Sequence, residues 1–138
     1  KHFVLTASVI DRTISRAPKP WEKSCIEIFF ETSTSQGIKQ FFLLPESGNE
    51  KAVLAAWGGQ LRIIDSIPVI FEAGKNGYTS SVSIPFELIS QTEEMPDQFK
   101  FEISLTRGNS EWRFEKGTLF GSDQASVDSS FYMNVKIV

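Results

Sequence analysis

The chain is short of most of what side-chain chemistry needs. Its 138 residues hold one histidine, His2, and one cysteine, Cys25. With the histidine at the very start, a Ser-His-Asp or Cys-His arrangement would have to rest on a terminal residue, so nucleophilic catalysis is disfavoured. A metal site built from His and Cys is excluded by count, and a lone cysteine forms no intramolecular disulfide. No apolar run approaches the roughly 18 residues of a membrane-spanning helix. Lys and Arg number 14 against 17 Asp and Glu, a net charge of −3, and the cations are scattered singly. That pattern offers no footprint for a phosphate backbone, so nucleic acid is not an expected partner. A phosphate-cradling loop is also missing, because Trp57-Gly58-Gly59 runs into Gln60 and a strand with no helix to lend its N-terminal dipole. Composition shows no linker, repeat or low-complexity tract, and the length suits one core, so residues 1–138 read as a single domain. The first residue is Lys1 rather than Met. The expectation is a fragment or C-terminal module of a longer protein, with any export signal upstream.

What the chain has in excess is phenylalanine, twelve against two Tyr and three Trp. Most lie in short alternating runs. Phe3–Ile10 is apolar on both faces and reads as a doubly buried strand; Cys25–Glu31 and Tyr78–Ile84 alternate strictly; Ile38–Leu44 is nearly all apolar, as a central strand would be. Gln60–Asp65 and Val69–Glu72 read as short strands broken at Pro68, and Gly74–Gly77 as a hairpin turn. Ala52–Ala56 fits either a strand or a helical turn. Phe86–Ser90, opened by Pro85, is the one predicted helix. Phe99–Thr106 alternates best of all, and its polar set, Lys100, Glu102, Ser104 and Thr106, is expected to meet solvent or a ligand. Arg107–Ser130 reads as a long loop with a brief strand at Glu111–Phe114, and Phe131–Val138 as the closing strand. Many short strands with almost no helix predict an all-β, antiparallel, jelly-roll-like sandwich with one short helix.

The second strand carries the informative face. Ile26, Ile28 and Phe30 point one way, toward a core, while Cys25, Glu27, Phe29 and Glu31 point the other. Two carboxylates beside a thiol and a ring suit neither open solvent nor a plain core. They suggest a partly sheltered surface lining a shallow groove. Cys25 itself reads as a small buried hydrophobe. Glu27 and Glu31 lie roughly 13 Å apart along the strand, beyond the roughly 5 to 9.5 Å that separates the paired carboxyls of glycosidases. They read as solvated groups or as single acceptors for a ligand hydroxyl. Trp21, Trp57 and Trp112 all lie in loops or at strand edges among polar or glycine neighbours. Each could be rim packing, or a flat face for the C–H side of a sugar ring. Structural calcium would have to use carboxylates such as Asp123 and Asp128, which lack a ligand-spaced loop pattern. Haem would require His2 with Met95 or Met133, a weak set.

The order of these pieces resembles the family 9 carbohydrate-binding modules. The motifs are a Trp-led loop into a strand (Trp21 through CIEIFF, Cys25–Phe30), an aromatic strand, the Ile84-Pro85-Phe86 junction before a helical turn, the F-x-F-x-I run from Phe99, a second Trp loop and a terminal strand. The resemblance implies a sugar-binding sandwich that clamps a ring between tryptophans. It places Trp21 on the first clamp position, Glu27 on the acidic hydroxyl acceptor, Trp112 on the second clamp and Asn109 on an assisting amide. The family also uses an arginine after the central strands, and here none follows Glu27 until Arg62, with Lys39 and Gln40 nearer. N-terminal strands of the family are also expected ahead of Lys1.

Three readings follow. The first is a non-catalytic, extracellular or periplasmic module, cofactor-free, that binds carbohydrate for a polysaccharide-active parent through Trp21, Glu27, Asn109, Trp112, Arg62, Gln40 and Trp57. The second is a structural sandwich that packs against a parent enzyme with its tryptophans in the contact. The third is haem or redox binding.

Overall fold

A computed structural model describes residues 1–120, 125–126, 129–130 and 132–136. Among these residues, ten strands and one helix follow in the order β1 (His2–Ile10), β2 (Cys25–Thr32), β3 (Lys39–Leu44), β4 (Val53–Trp57), β5 (Leu61–Ile63), β6 (Val69–Gly74), β7 (Gly77–Pro85), α1 (Phe86–Ser90), β8 (Gln98–Ser110), β9 (Arg113–Thr118) and β10 (Met133–Lys136). A short 3-10 turn at Pro20–Glu22 precedes β2. All named pairings are antiparallel, in two unequal sheets. The small sheet runs β1-β7-β6; the large one runs β10-β8-β2-β3-β4-β5, with β9 also on β8. Thirteen residues give β8 room for two neighbours on its free edge, β10 along Gln98–Phe101 and β9 along Ser104–Ser110.

The sandwich core follows from period-2 alternation. Ile26, Ile28 and Phe30 of β2, Phe41 and Leu43 of β3, and Phe99 and Phe101 of β8 face Val9 of β1 and Tyr78, Val82 and Ile84 of β7. Phe30 is fully buried and its ring meets those of Phe3, Phe41, Phe99 and Phe101. The phenylalanine excess is therefore the filling between the sheets. Helix α1 adds Ile89 to the same core. Met95 is also buried there.

Several expectations need correction. β1 is buried on one face only: Val4 and Ile10 are each 65% exposed on the outer side of the small sheet. Ala52–Ala56 resolves as strand β4, which takes in Trp57. The segment after Thr106 is no loop at first, because β8 continues to Ser110 and turns through Glu111-Trp112 into β9. Of the polar face of β8 only Lys100 meets solvent, since Glu102, Ser104 and Thr106 are all buried. Glu102 shows why. Its carboxylate accepts the backbone N–H groups of Ile103 at 2.8 Å and of Leu119 and Phe120 at 3.1 Å, pinning the chain beyond β9 over the sheet. Phe131 and Ile137 of the expected closing strand lie outside the described residues, as do Asp123 and Asp128.

Two glycines are fixed by close approach. A Cβ on Gly77 would lie 1.8 Å from the carbonyl oxygen of Val9, and one on Gly108 would lie 2.1 Å from that of Thr13. At Gly108 the contact is a junction: its N–H donates to Asp11 Oδ1 at 2.8 Å, and its carbonyl accepts Arg12 N–H at 3.0 Å. A Gly108→Ala variant should lose about 1–3 kcal/mol through forced backbone shifts; a urea midpoint equal to the parent's would contradict this.

Burial, then the nearby Glu27 charge, pushes the Cys25 thiol up to about 12 from an ordinary value near 9. The folded protein keeps the proton that the unfolded chain releases above pH 9, so this group lowers stability as pH rises from 9 toward 12 and contributes nothing below. Native Cys25 should therefore react with a disulfide reagent at pH 8.5 no faster than the protein unfolds. Rapid labelling of folded protein would show the thiol to be open.

Candidate functional site

The outer face of the large sheet divides into an apolar end, a charged middle and a far end. At the apolar end Cys25, Phe42, Leu44 and Ala55 form a second buried cluster beneath Trp21, Val53 and Leu61. Residues 11–24 bring Trp21 there. Ser24 N–H donates to the Ser15 carbonyl at 3.0 Å, and Ser15 N–H donates to Ser24 Oγ at 3.1 Å, which folds the segment back on itself before β2 begins. Pro20 then opens the 3-10 turn that presents the indole. The Trp21 ring lies 6.0 Å from Phe42 and meets Trp57 edge-on at 5.3 Å and 89°. Such edge-to-face pairs fix ring orientation beyond simple area burial.

Glu27 occupies the middle and is only 2% exposed. Gln40 Nε2 donates to its Oε1 at 3.1 Å. Lys116 Nζ stands 2.6 Å from Oε2, a charge contact lacking hydrogen-bond geometry. Lys116 faces Thr106 across the β8–β9 pair, and Thr106 faces Cys25 across β8–β2, so the cation sits on the same face as the carboxylate by register alone. Glu27 thus offers a buried carboxylate acceptor already oriented by an amide and paired with a lysine. The expectation of a solvated glutamate does not hold for it.

At the far end Phe29 packs with Ala125 and Tyr132. Glu31 accepts from Ser129 and pairs with Lys100 at 3.2 Å. The Ser129 hydroxyl, and then the lysine, hold the Glu31 carboxyl below its usual value.

The β8–β9 hairpin forms the side of this face. Lys23 Nζ sits 4.0 Å above the Phe114 ring, tying the segment after Trp21 to β9. Trp112 stands at the hairpin tip, 92% exposed, with no ring contact among the described residues. Asn109 donates to Glu115 Oε1 at 3.2 Å, and Arg107 pairs with the same carboxylate at 3.5 Å. Arg62 lies on β5 opposite Ala56, exposed, away from Glu27's immediate partners. The fold therefore brings together Trp21, Trp57, Glu27 and Gln40 and leaves Trp112 and Asn109 on the neighbouring hairpin. Lys116 and Phe42 are the members that sequence reasoning missed. Phe42 alternates with the core residues Phe41 and Leu43, a visible signal that it faces the outer side with Glu27. Lys116 gave none, because its strand looked like loop.

No protein-family model matches the chain, and no curated protein matches it in sequence. Solved structures do match. A family 9 carbohydrate-binding module from Caldicellulosiruptor kristjanssonii, in complex with glucose, superposes with a TM-score of 0.71 over 98% of this chain and 70% of that one, at 15% identity. The fold is that of the family 9 carbohydrate-binding modules. The same module in complex with cellotriose gives 0.71 at 16% identity, over 99% of this chain and 69% of that one. A Bacteroides uniformis protein described as carbohydrate-binding gives 0.57 at 12% identity, over 99% and 72%. On this fold, the outer face of the large sheet carries Trp21, Phe42 and Trp57 beside the buried polar groups Glu27 and Gln40.

Lys116→Met would leave the Glu27 carboxylate without its cation. The expected loss is about 2–3 kcal/mol, less than the roughly 3–5 for a fully buried pair, because the Lys116 side chain is 40% exposed. Adding Glu27→Gln to the same variant should restore most of it. Urea unfolding checks both; a single variant within about 0.5 kcal/mol of the parent, the usual range for neutral surface changes, would contradict the pairing.

Proposed function

We propose that this chain is a non-catalytic carbohydrate-binding module, and that sugar binds on the outer face of the large sheet between the Trp21–Trp57 pair and the β8–β9 hairpin. One observation carries the reading: two indoles meet edge-on beside a buried carboxylate that an amide and a lysine already hold in place. An indole face takes the C–H side of a pyranose, while Glu27, Gln40 and Lys116 supply the acceptor and donors for its hydroxyls. Trp112, exposed at the hairpin tip, flanks that face from the side, whereas Asn109 is held by Glu115 on the other face of the hairpin. The likeness to a module crystallised with glucose and with cellotriose supports the same reading. As part of it, the chain serves a polysaccharide-active parent protein outside the cytoplasm.

A second reading has its own observation. The outer face of the small sheet exposes Val4, Ile10 and Ile70, the last at 72%. That apolar strip is what a domain packed against a parent enzyme would present.

Intrinsic fluorescence titrated with glucose and cello-oligosaccharides separates the two. A saturable change in the parent chain, lost in Trp21→Ala at unchanged secondary structure, is the expected result. A flat response across neutral and acidic saccharides, with Trp21→Ala losing only stability, would favour the packing domain.

A further inference from the structure

The core side of the large sheet is open at its β5 edge. Phe41 of β3 faces Ala56 of β4, and Ala56 faces Arg62 of β5, so the three stand in one row on the core side. Burial falls along that row: Phe41 is 3% exposed and belongs to the core, Ala56 is half-buried against it, and Arg62 is exposed. A three-strand sheet lies over a seven-strand one, and the row runs out from under it. Helix α1 stands beside the opening. Its Leu88 packs against the same core and lines, with Phe41, Ala56 and Arg62, a recess of about 480 Å³. We propose that this recess binds a small carboxylic acid with an apolar body, the body resting on Phe41, Ala56 and Leu88 and the carboxylate on Arg62. The proposal is independent of the saccharide reading, because Gln40 and Trp57 alternate onto the opposite face with Glu27.

Period-2 alternation sets the rim. Two residues before Phe41 the same face carries Lys39, and two residues beyond Ala56 it reaches Gly58. There the chain turns from β4 toward β5, with the Gly58 N–H donating to the Gln60 carbonyl at 3.2 Å. A Cβ on Gly58 would meet nothing within 4 Å, so with the single methyl of Ala56 the floor is low and open. Lys39 Nζ faces the Gln91 amide just past α1, whose oxygen accepts at 3.1 Å once the amide is turned to donate to the Thr34 carbonyl. That contact anchors the lysine at the rim and leaves two of its N–H donors for a ligand.

Charge and floor together define the ligand. The lining includes Lys39 and Arg62 and no Asp or Glu, although the chain as a whole is acidic at −3. Arg62 has no ion pair and no hydrogen bond among the described residues. A guanidinium left without a carboxylate offers a fork for one planar carboxylate group. The apolar surface behind it decides what that group is attached to, since a pocket of this size with few polar groups takes a mostly apolar molecule. A neutral sugar is disfavoured by the same floor, because its hydroxyls would lose water against Phe41, Ala56 and Leu88 without gaining partners there.

The test is calorimetric titration of the full chain at low salt with cinnamate, with cinnamamide as the control for charge, acetate for the apolar body and inorganic phosphate for anions in general. The variant is Arg62→Gln, an exposed side chain with no partner to lose, checked for parental thermal unfolding. The methyl signals of Ala56 and Leu88 are followed in a 1H–13C spectrum, beside the Trp57 indole signal from the opposite face. The expected result is saturable binding of cinnamate about tenfold tighter than of cinnamamide or acetate, the step that one charge-assisted pair supplies. The Ala56 and Leu88 methyls should move while the Trp57 indole stays still. Arg62→Gln should bring cinnamate and cinnamamide within about threefold of each other, and salt should narrow the preference in the parent. Cinnamamide, acetate or phosphate binding as tightly as cinnamate would overturn the site, as would a preference unchanged in Arg62→Gln. So would a Trp57 shift with still Ala56 and Leu88 methyls, which puts the acid on the other face, or no saturable binding of cinnamate.

Discussion

A carboxylate taken out of water in the middle of a sheet face constrains everything around it. Glu27 sits on β2, flanked by β3 and β8. Desolvation of such an anion costs several kcal/mol unless charge and hydrogen bonds replace the water. Gln40 comes from β3 by simple adjacency. Lys116 comes from two strands away, and it arrives only because β8 runs on to Ser110 and folds back as β9 in the register that sets Lys116 opposite Thr106. The same hairpin carries Trp112 at its tip, and its Phe114 takes Lys23 from the segment that carries Trp21. Neutralising one buried anion thus also fixes the hairpin that borders the face and the segment that carries Trp21.

A second buried acid does different work on the same face. Glu102 is fully buried, yet its partners are backbone N–H groups, which cap the chain after β9 and hold Leu119 and Phe120 against the sheet. Asp11 acts similarly at the opposite edge, joining Gly108 and Thr13 N–H groups through Oδ1. Acids of this kind anchor loops. Glu27, whose partners are side chains that a ligand can share, is the acid suited to binding. The distinction lies in the donor type rather than in burial, since all three are at most 3% exposed.

Where the strands alternate cleanly, the sequence disclosed them: β2, β7, the helix Phe86–Ser90 and the Gly74–Gly77 turn stand as expected. The sandwich class and the buried Cys25 were legible for the same reason. The extension of β8 was hidden because Arg107, Gly108 and Asn109 break the alternation, and Gly108 serves a close approach that only three dimensions reveal. Glu102, Ser104 and Thr106 looked solvent-facing because polar alternation cannot tell an exposed face from one covered by a returning chain. At the site, Trp21, Trp57, Glu27 and Gln40 could be chosen by residue type. Their meeting could not, since it depends on strand order β2-β3-β4 and on a fold-back at Ser15 and Ser24. The joint between Trp21 and Trp57, rather than Trp112, is a consequence of that order.

The claim that most needs measurement is that the Trp21–Trp57 corner is where a sugar contacts this chain. The three tryptophan indole N–H signals in a 1H–15N spectrum, assigned by single Trp→Phe variants and followed during cellotriose titration, address it directly. The account predicts that the Trp21 and Trp57 signals move together and saturate at one common ligand concentration. Stationary Trp21 and Trp57 signals, whether or not Trp112 moves, would contradict it.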